Sequence, residues 1–210
     1  ALRQRGLDVD IVSPDAELAG YRMVLVPTLP IMPEGFAEKL AALTCPVLIG
    51  PRSGSKTASF CIPEGLAPGV LKPLMPLTVT RVESLRDGVA EPANGFAVTR
   101  WREDVTSELA PEWADAAGRG VVFRHGGLRY CTIWPDRALL AILVERMADE
   151  AGVARAGSRL PLATAVVRRR EDRVLALRDA VQDLARRRDA VAGLGQRLAS
   201  LEREAGQAAL

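Results

Sequence analysis

Pro46-Val-Leu-Ile-Gly-Pro-Arg-Ser-Gly-Ser-Lys56 runs a short apolar stretch directly into a basic, glycine-punctuated loop. Ligand sites in open α/β sheets lie beyond the carboxyl ends of such strands, so the loop from Gly50 to Lys56 is the first place to look for chemistry. Gly50-Pro-Arg-Ser-Gly54 keeps the spacing of a hydrolase nucleophile elbow, Gly-x-Ser-x-Gly, but its middle position holds Arg52. A guanidinium cannot attack a carbonyl, and Ser53 stands one residue beyond the position an elbow exposes. Gly54-Ser-Lys-Thr57 approaches a phosphate-binding loop. Ser55 interrupts that pattern, however, and the next segment is too proline-rich for the helix that must follow. Arg52 and Lys56 read instead as side chains that pair with a neighbouring surface.

The other reactive residues form no recognisable set. Cys45 precedes Pro46 at the wrong end of its strand, Cys131 falls within a predicted strand, and Cys61 has no partner motif. His125 is the single histidine, too few for a Cys-His catalytic arrangement with a second imidazole or for a zinc site, and there is no C-x-x-C pair. Glu64, Glu83, Glu103, Asp104, Asp115 and Asp136 are available for acid-base work, but their spacing singles out no pair. Asp136 follows Pro135 at a helix start and reads as a cap. Trp101, Trp113 and Trp134 suit core or interface anchoring as well as sugar stacking. No metal or cofactor is expected.

The elements that must position these residues alternate between strand and helix. Strands are predicted at Leu7 to Val12, Tyr21 to Val26, Pro46 to Gly50, Leu77 to Val82, Phe96 to Trp101, Gly120 to Arg124 and Leu128 to Trp134. Helices are predicted at Pro33 to Leu43 and Asp136 to Ala151, with a helical turn near Gly69 and a proline-rich wrap from Ser55 to Pro76. Strand, connection, strand, helix, strand implies a parallel sheet. The apolar fraction of 48% is ample for a core, and the formal charge of +2 gives no field that argues for nucleic acid. The odd cysteine count suits free thiols in a reducing, cytoplasmic setting, and no apolar run is long enough to span a membrane. The chain opens on Ala1, with residues that read as the end of a helix closed by Gly6, as if cut from a longer protein.

Ala19-Gly-Tyr-Arg-Met-Val-Leu-Val-Pro-Thr-Leu29, Gly50 to Thr57, Ile62-Pro-Glu-Gly-Leu66, Leu77 to Ser84 and Thr132-Ile-Trp-Pro-Asp136 together resemble the middle domain of family 42 glycoside hydrolases, the bacterial β-galactosidases. The resemblance covers roughly residues 1–153. It implies a flavodoxin-like parallel sheet with flanking helices, related to class I glutamine amidotransferases, that mediates assembly into a homotrimer. It also implies that Arg52 stands where amidotransferase relatives keep a nucleophilic cysteine. The family's catalytic glutamates lie in an upstream (β/α)₈ barrel, so no catalytic residue carries over, and a β-galactoside would be bound only through that barrel. The expected subunit- or domain-contact residues are Arg52, Ser53, Lys56, Trp134 and Asp136. The alternative is a free-standing amidotransferase-like domain that binds or hydrolyses a small molecule.

Beyond residue 153 the pattern departs from the family. Residues 154–170 read as a linker with a remnant strand, Val166-Val-Arg-Arg-Arg170 being its basic entry. Residues 171–210 read as a charged helical or disordered tail. Leu177, Leu184, Val191 and Leu198 recur every seven residues, but Val181, Arg188, Gly195 and Glu202 make the alternate seam poor for a coiled coil. Loss of aromatics there suggests a truncated or frame-shifted remnant of a β domain.

Overall fold

A computed structural model describes residues 2, 5–93 and 95–153. The expectations for residues 154–210 lie outside the described residues. Nine strands and two α-helices follow in chain order among those described: β1 (Val24–Val26), α1 (Phe36–Ala41), β2 (Val47–Ile49), β3 (Leu77–Ser84), β4 (Glu91–Ala93), β5 (Phe96–Val98), β6 (Trp101–Ser107), β7 (Pro111–Ala114), β8 (Gly120–His125), β9 (Leu128–Cys131) and α2 (Arg137–Glu150). A 3₁₀ turn spans Gly69–Leu71.

The main sheet has five strands in the order β1-β2-β9-β8-β7. β1, β2 and β9 run parallel, with Val24 opposite Val47 and Ile49 opposite Tyr130. β8 and β7 then add antiparallel, so the sheet is mixed where a parallel one was expected. The cause is local. His125, Gly126 and Gly127 make a turn too short for a crossover, and a tight turn can only join antiparallel neighbours. β3 pairs with β6, and β4 with β5, in two antiparallel ribbons inserted between β2 and β9.

Alternation along the central strands divides the core. Val47, Ile49 and Tyr130 pack with Phe36 and Leu40 of α1, Phe123 of β8, Leu71 of the 3₁₀ turn and Met75 beyond it. Leu48 and Cys131 face the other way, against Leu139, Leu143 and Met147 of α2. Successive side chains in a strand point to opposite faces, so a run such as Val-Leu-Ile is apolar throughout because a helix covers each side. Asp136 caps α2 by accepting a 2.8 Å hydrogen bond from the Leu139 amide, as its position after Pro135 predicts.

Leu7 to Val12 is not a strand. β1 pairs only with β2, and no described segment offers Leu7 to Val12 a partner. Leu7 is buried against Val144 and Ala148 of α2, whereas Ile11 is 98% exposed. The expected strand from Phe96 to Trp101 divides into β5 and β6, and β4 and β7 lacked the apolar alternation that would have marked them in advance.

Two ion-pair networks hold the buried arginines. Arg102, 1% exposed, pairs with Glu91 at 2.8 Å and Asp115 at 3.1 Å, and Arg119 joins both acids. Arg129, fully buried on the α2 face, meets Glu112 at 2.8 Å and Glu150 at 2.5 Å. Its hydrogen bonds are the largest influence on the Glu150 carboxyl and hold it below the usual glutamate value. The helix is thus anchored by an ion pair at its end and by apolar packing along its length. Replacing Leu143 with Ala should remove about 2–5 kcal/mol of stability in urea denaturation, the usual cost of a cavity at a fully buried leucine. A loss under about 1 kcal/mol would mean that α2 does not seal this face.

Candidate functional site

β1 and β2 end side by side, and the two loops leaving their carboxyl ends are stitched together. The Gly50 amide donates to the Val26 carbonyl at 2.8 Å, Gly54 to Leu29 at 2.9 Å, and Lys56 to Pro30 at 2.9 Å. The Thr28 hydroxyl donates to the Pro51 carbonyl at 2.9 Å. This packing leaves no room for side chains at the glycines: a Cβ on Gly50 would collide with the Pro27 carbonyl, and one on Gly54 with that of Pro68. Between them Arg52 is held at φ 66°, the left-handed conformation that an L residue adopts only under constraint. The backbone therefore has the sharp turn of a nucleophile elbow, with an arginine at its tip.

Glu103 of β6 supplies the constraint. Its Oε1 accepts from the Arg52 amide at 2.7 Å and from the Trp101 indole N–H at 3.1 Å, and its Oε2 accepts from the Tyr130 hydroxyl at 2.8 Å. The residue is 2% exposed. Burial pushes the carboxyl above its usual value, and the three donors and the Arg52 charge oppose that push. Tyr130 is driven well above the ordinary phenol value, first by burial and then by the Glu103 charge. Sequence reasoning had Glu103 only as one acid among several. The aromatic two residues before it offered no usable signal, because Tyr130 and Arg52 approach from distant parts of the chain.

The structure joins the two motifs singled out in the sequence. Trp101 underlies the Arg52 guanidinium, 4.9 Å from ring centroid to Cζ, while its carbonyl accepts from the Trp134 amide at 3.0 Å. The Glu103 amide donates to the Thr132 carbonyl at 2.8 Å. Arg52 and Trp134 are exposed and Lys56 is half-buried, its ammonium 5.8 Å from the centre of the Phe60 ring. Ser53 and Asp136 are engaged inside the fold instead. Ser53 is fully buried and accepts from the Leu29 amide at 3.2 Å. Asp136 gives one oxygen to its helix cap and the other to the Ala97 amide at 2.9 Å.

This arrangement braces the elbow from within the fold. An elbow serves hydrolysis by presenting a nucleophilic hydroxyl or thiol at its tip, and here the tip holds the Arg52 guanidinium, with the Arg52 amide given to an internal carboxylate. Cys131 is fully buried with its thiol pushed up to about 12 by burial, and burial also raises Cys45. His125 lies elsewhere, bonded through Nδ1 to the Leu74 carbonyl at 2.8 Å. Among the described residues no group of three or more His, Cys, Asp or Glu could hold a metal ion.

Residues 1–154 match the family model described as the β-galactosidase trimerisation domain. The chain belongs to that family. It is 46% identical over 157 residues to the β-galactosidase BgaA of a Thermus species, spanning 73% of this chain and 24% of that protein. With β-galactosidase BgaH of Haloferax lucentense the identity is 36% over 170 residues, again 73% of this chain and 26% of the relative. Among solved structures, the β-galactosidase of the psychrophile Marinomonas ef1 superposes with a TM-score of 0.71 at 32% identity, over 76% of this chain and 24% of that one. The chain thus spans about a quarter of the length of the curated relatives it matches. The family description is that of a trimerisation domain, and the tip of the elbow described above carries a guanidinium where a nucleophile would stand.

Two measurements check this account. Because burial raises Glu103 in the folded state, folded protein holds that proton more tightly than unfolded chain does. The carboxyl therefore costs stability as pH rises from the ordinary glutamate value through the raised one. Glu103→Gln should remove this loss, so its Tm should gain on wild type across that window; a difference constant with pH would refute it. In an Ellman titration Cys61, the exposed thiol, should react first, Cys45 more slowly, and Cys131 only on unfolding.

Proposed function

We propose that this chain is the assembly module of a cytoplasmic β-galactosidase, joining three subunits into a homotrimer while hydrolysis of terminal β-D-galactosyl residues belongs to a barrel elsewhere in the parent. The observation that carries the reading is the arginine at an intact elbow whose amide is filled by Glu103: a turn suited to a nucleophile has become a rigid basic projection. Arg52, Lys56 and Trp134 are the contact residues in this reading, and Ser53 and Asp136 hold them in position from within. Arginine and tryptophan are the residue types that dominate interface energetics, and Arg52 is pre-ordered by its own backbone and by Trp101.

The finer fold identity is part of the same proposal. A parallel β1-β2-β9 core, helices on both faces and a left-handed residue just after β2 support a flavodoxin-like sheet of amidotransferase ancestry. A free-standing hydrolase is disfavoured by the same elbow, since no thiol or hydroxyl occupies its tip. Near-balanced charge and the three free thiols support a partner that is another protein subunit, not nucleic acid, in a reducing compartment.

Sedimentation equilibrium of the chain should return a trimer, with Trp134→Ala weakening association at least tenfold and no β-galactosidase activity in either form. A monomer at every concentration would overturn the assembly role for this chain.

A further inference from the structure

Beside the elbow lies a cleft of about 380 Å³ with one apolar side and one cationic side. Ile62, Leu66, Ala67, Val79 and Val82 line it, and Ile62 and Val82 are more than half exposed. Arg52 and Lys56 stand on its opposite rim, each resting on an aromatic ring, Trp101 and Phe60. Neither cation takes part in an ion pair or a side-chain hydrogen bond among the described residues. The neighbouring Arg81 is different, being paired with Glu83. Glu103, the acid at the cleft floor, accepts from the Arg52 amide, Trp101 and Tyr130; its charge attracts that of Arg52, but no ion pair joins it to either rim cation among the described residues.

We infer that this cleft seats an extended segment of a neighbouring subunit in which a carboxylate side chain alternates with apolar ones. The inference rests on the assembly reading and names the chemistry of its partner. Charge complementarity selects the occupant: two cations outside any ion pair favour an acid, and the rings beneath them hold those cations in place so that little is lost in ordering them. The apolar wall requires aliphatic side chains next to that acid. An extended strand supplies both, since its side chains alternate in direction and one face could lie on Ile62, Leu66 and Val82 while the acids turn toward Arg52 and Lys56. The Arg52 backbone, held in an αL turn by Glu103, aims one cation without help from the partner.

The test titrates the 210-residue chain with the peptide acetyl-Leu-Glu-Leu-Glu-Leu-amide, following tryptophan fluorescence, beside the same peptide with Gln for Glu. The acidic peptide should bind saturably and at least tenfold more tightly than the neutral one. R52E/K56E should lose that preference, whereas R86E/R100E, which carries the same charge change at two exposed arginines away from the cleft, should keep it. Raising salt should weaken binding. Equal binding of the two peptides, or none, overturns the inference, and the peptide comparison on wild-type protein stands even if R52E/K56E fails to fold. Sedimentation of the same samples separates the two claims. A chain that associates but ignores the acidic peptide keeps the assembly role and loses the cleft, while a monomeric chain that binds it selectively keeps the cleft and loses the assembly role.

Discussion

The buried carboxylate of Glu103 carries more of this structure than any other group. A lone carboxylate in the interior is costly, and it is retained only when donors replace the water it gave up. Here the donors come from three places: the elbow after β2, the indole at the start of β6, and the phenol of β9. Satisfying one acid therefore brings three segments to a common point and orders the surface above them. Removing the acid would leave an amide, an indole N–H and a phenol without the acceptor that now joins them.

Around that point, the fold solves two packing problems in different ways. The parallel strands β1, β2 and β9 bury both faces, so they are short, continuous in apolar residues and dependent on α1 and α2 for cover. The inserted ribbons expose much of their surface and rely on ion pairs, with Arg102 sunk between Glu91 and Asp115. Buried ion pairs contribute less net stability than their proximity suggests, because each charge must first be desolvated. Their effect here is to fix where the ribbons sit: an Arg102 displaced from its acids would be a buried charge without compensation. The ribbon β3–β6 thereby holds Trp101 and Glu103 in line with the elbow.

The family assignment and the site chemistry converge from independent directions. Similarity to β-galactosidases covers the described domain and only about a quarter of the relatives, leaving their remaining length without a counterpart here. The site, taken by itself, has an elbow without a nucleophile and a basic rim beside an apolar cleft. Both agree with the family's description as a trimerisation domain.

Much of this was legible in the residues. Val47-Leu-Ile49 could only be a doubly covered strand, Pro135-Asp136 could only open a helix, and Gly50-Pro-Arg-Ser-Gly54 showed both the elbow and its lost nucleophile, because each of these is encoded by neighbours within a few positions. Leu7 to Val12 misled for the complementary reason: strand-forming residues make a strand only when a partner edge is available. Parallelism of the whole sheet was over-extended from its first three strands, although the turn at His125 to Gly127 already required a hairpin. What only the tertiary structure decided is the set of partners. Glu103 reaches Arg52 across 51 positions and Tyr130 across 27, and no local pattern marks which of the acids will be buried beneath an amide and a phenol. Local sequence specifies the conformations a segment can hold. Which buried charge meets which donor depends on where the chain is brought back on itself, and that is a property of the packed fold.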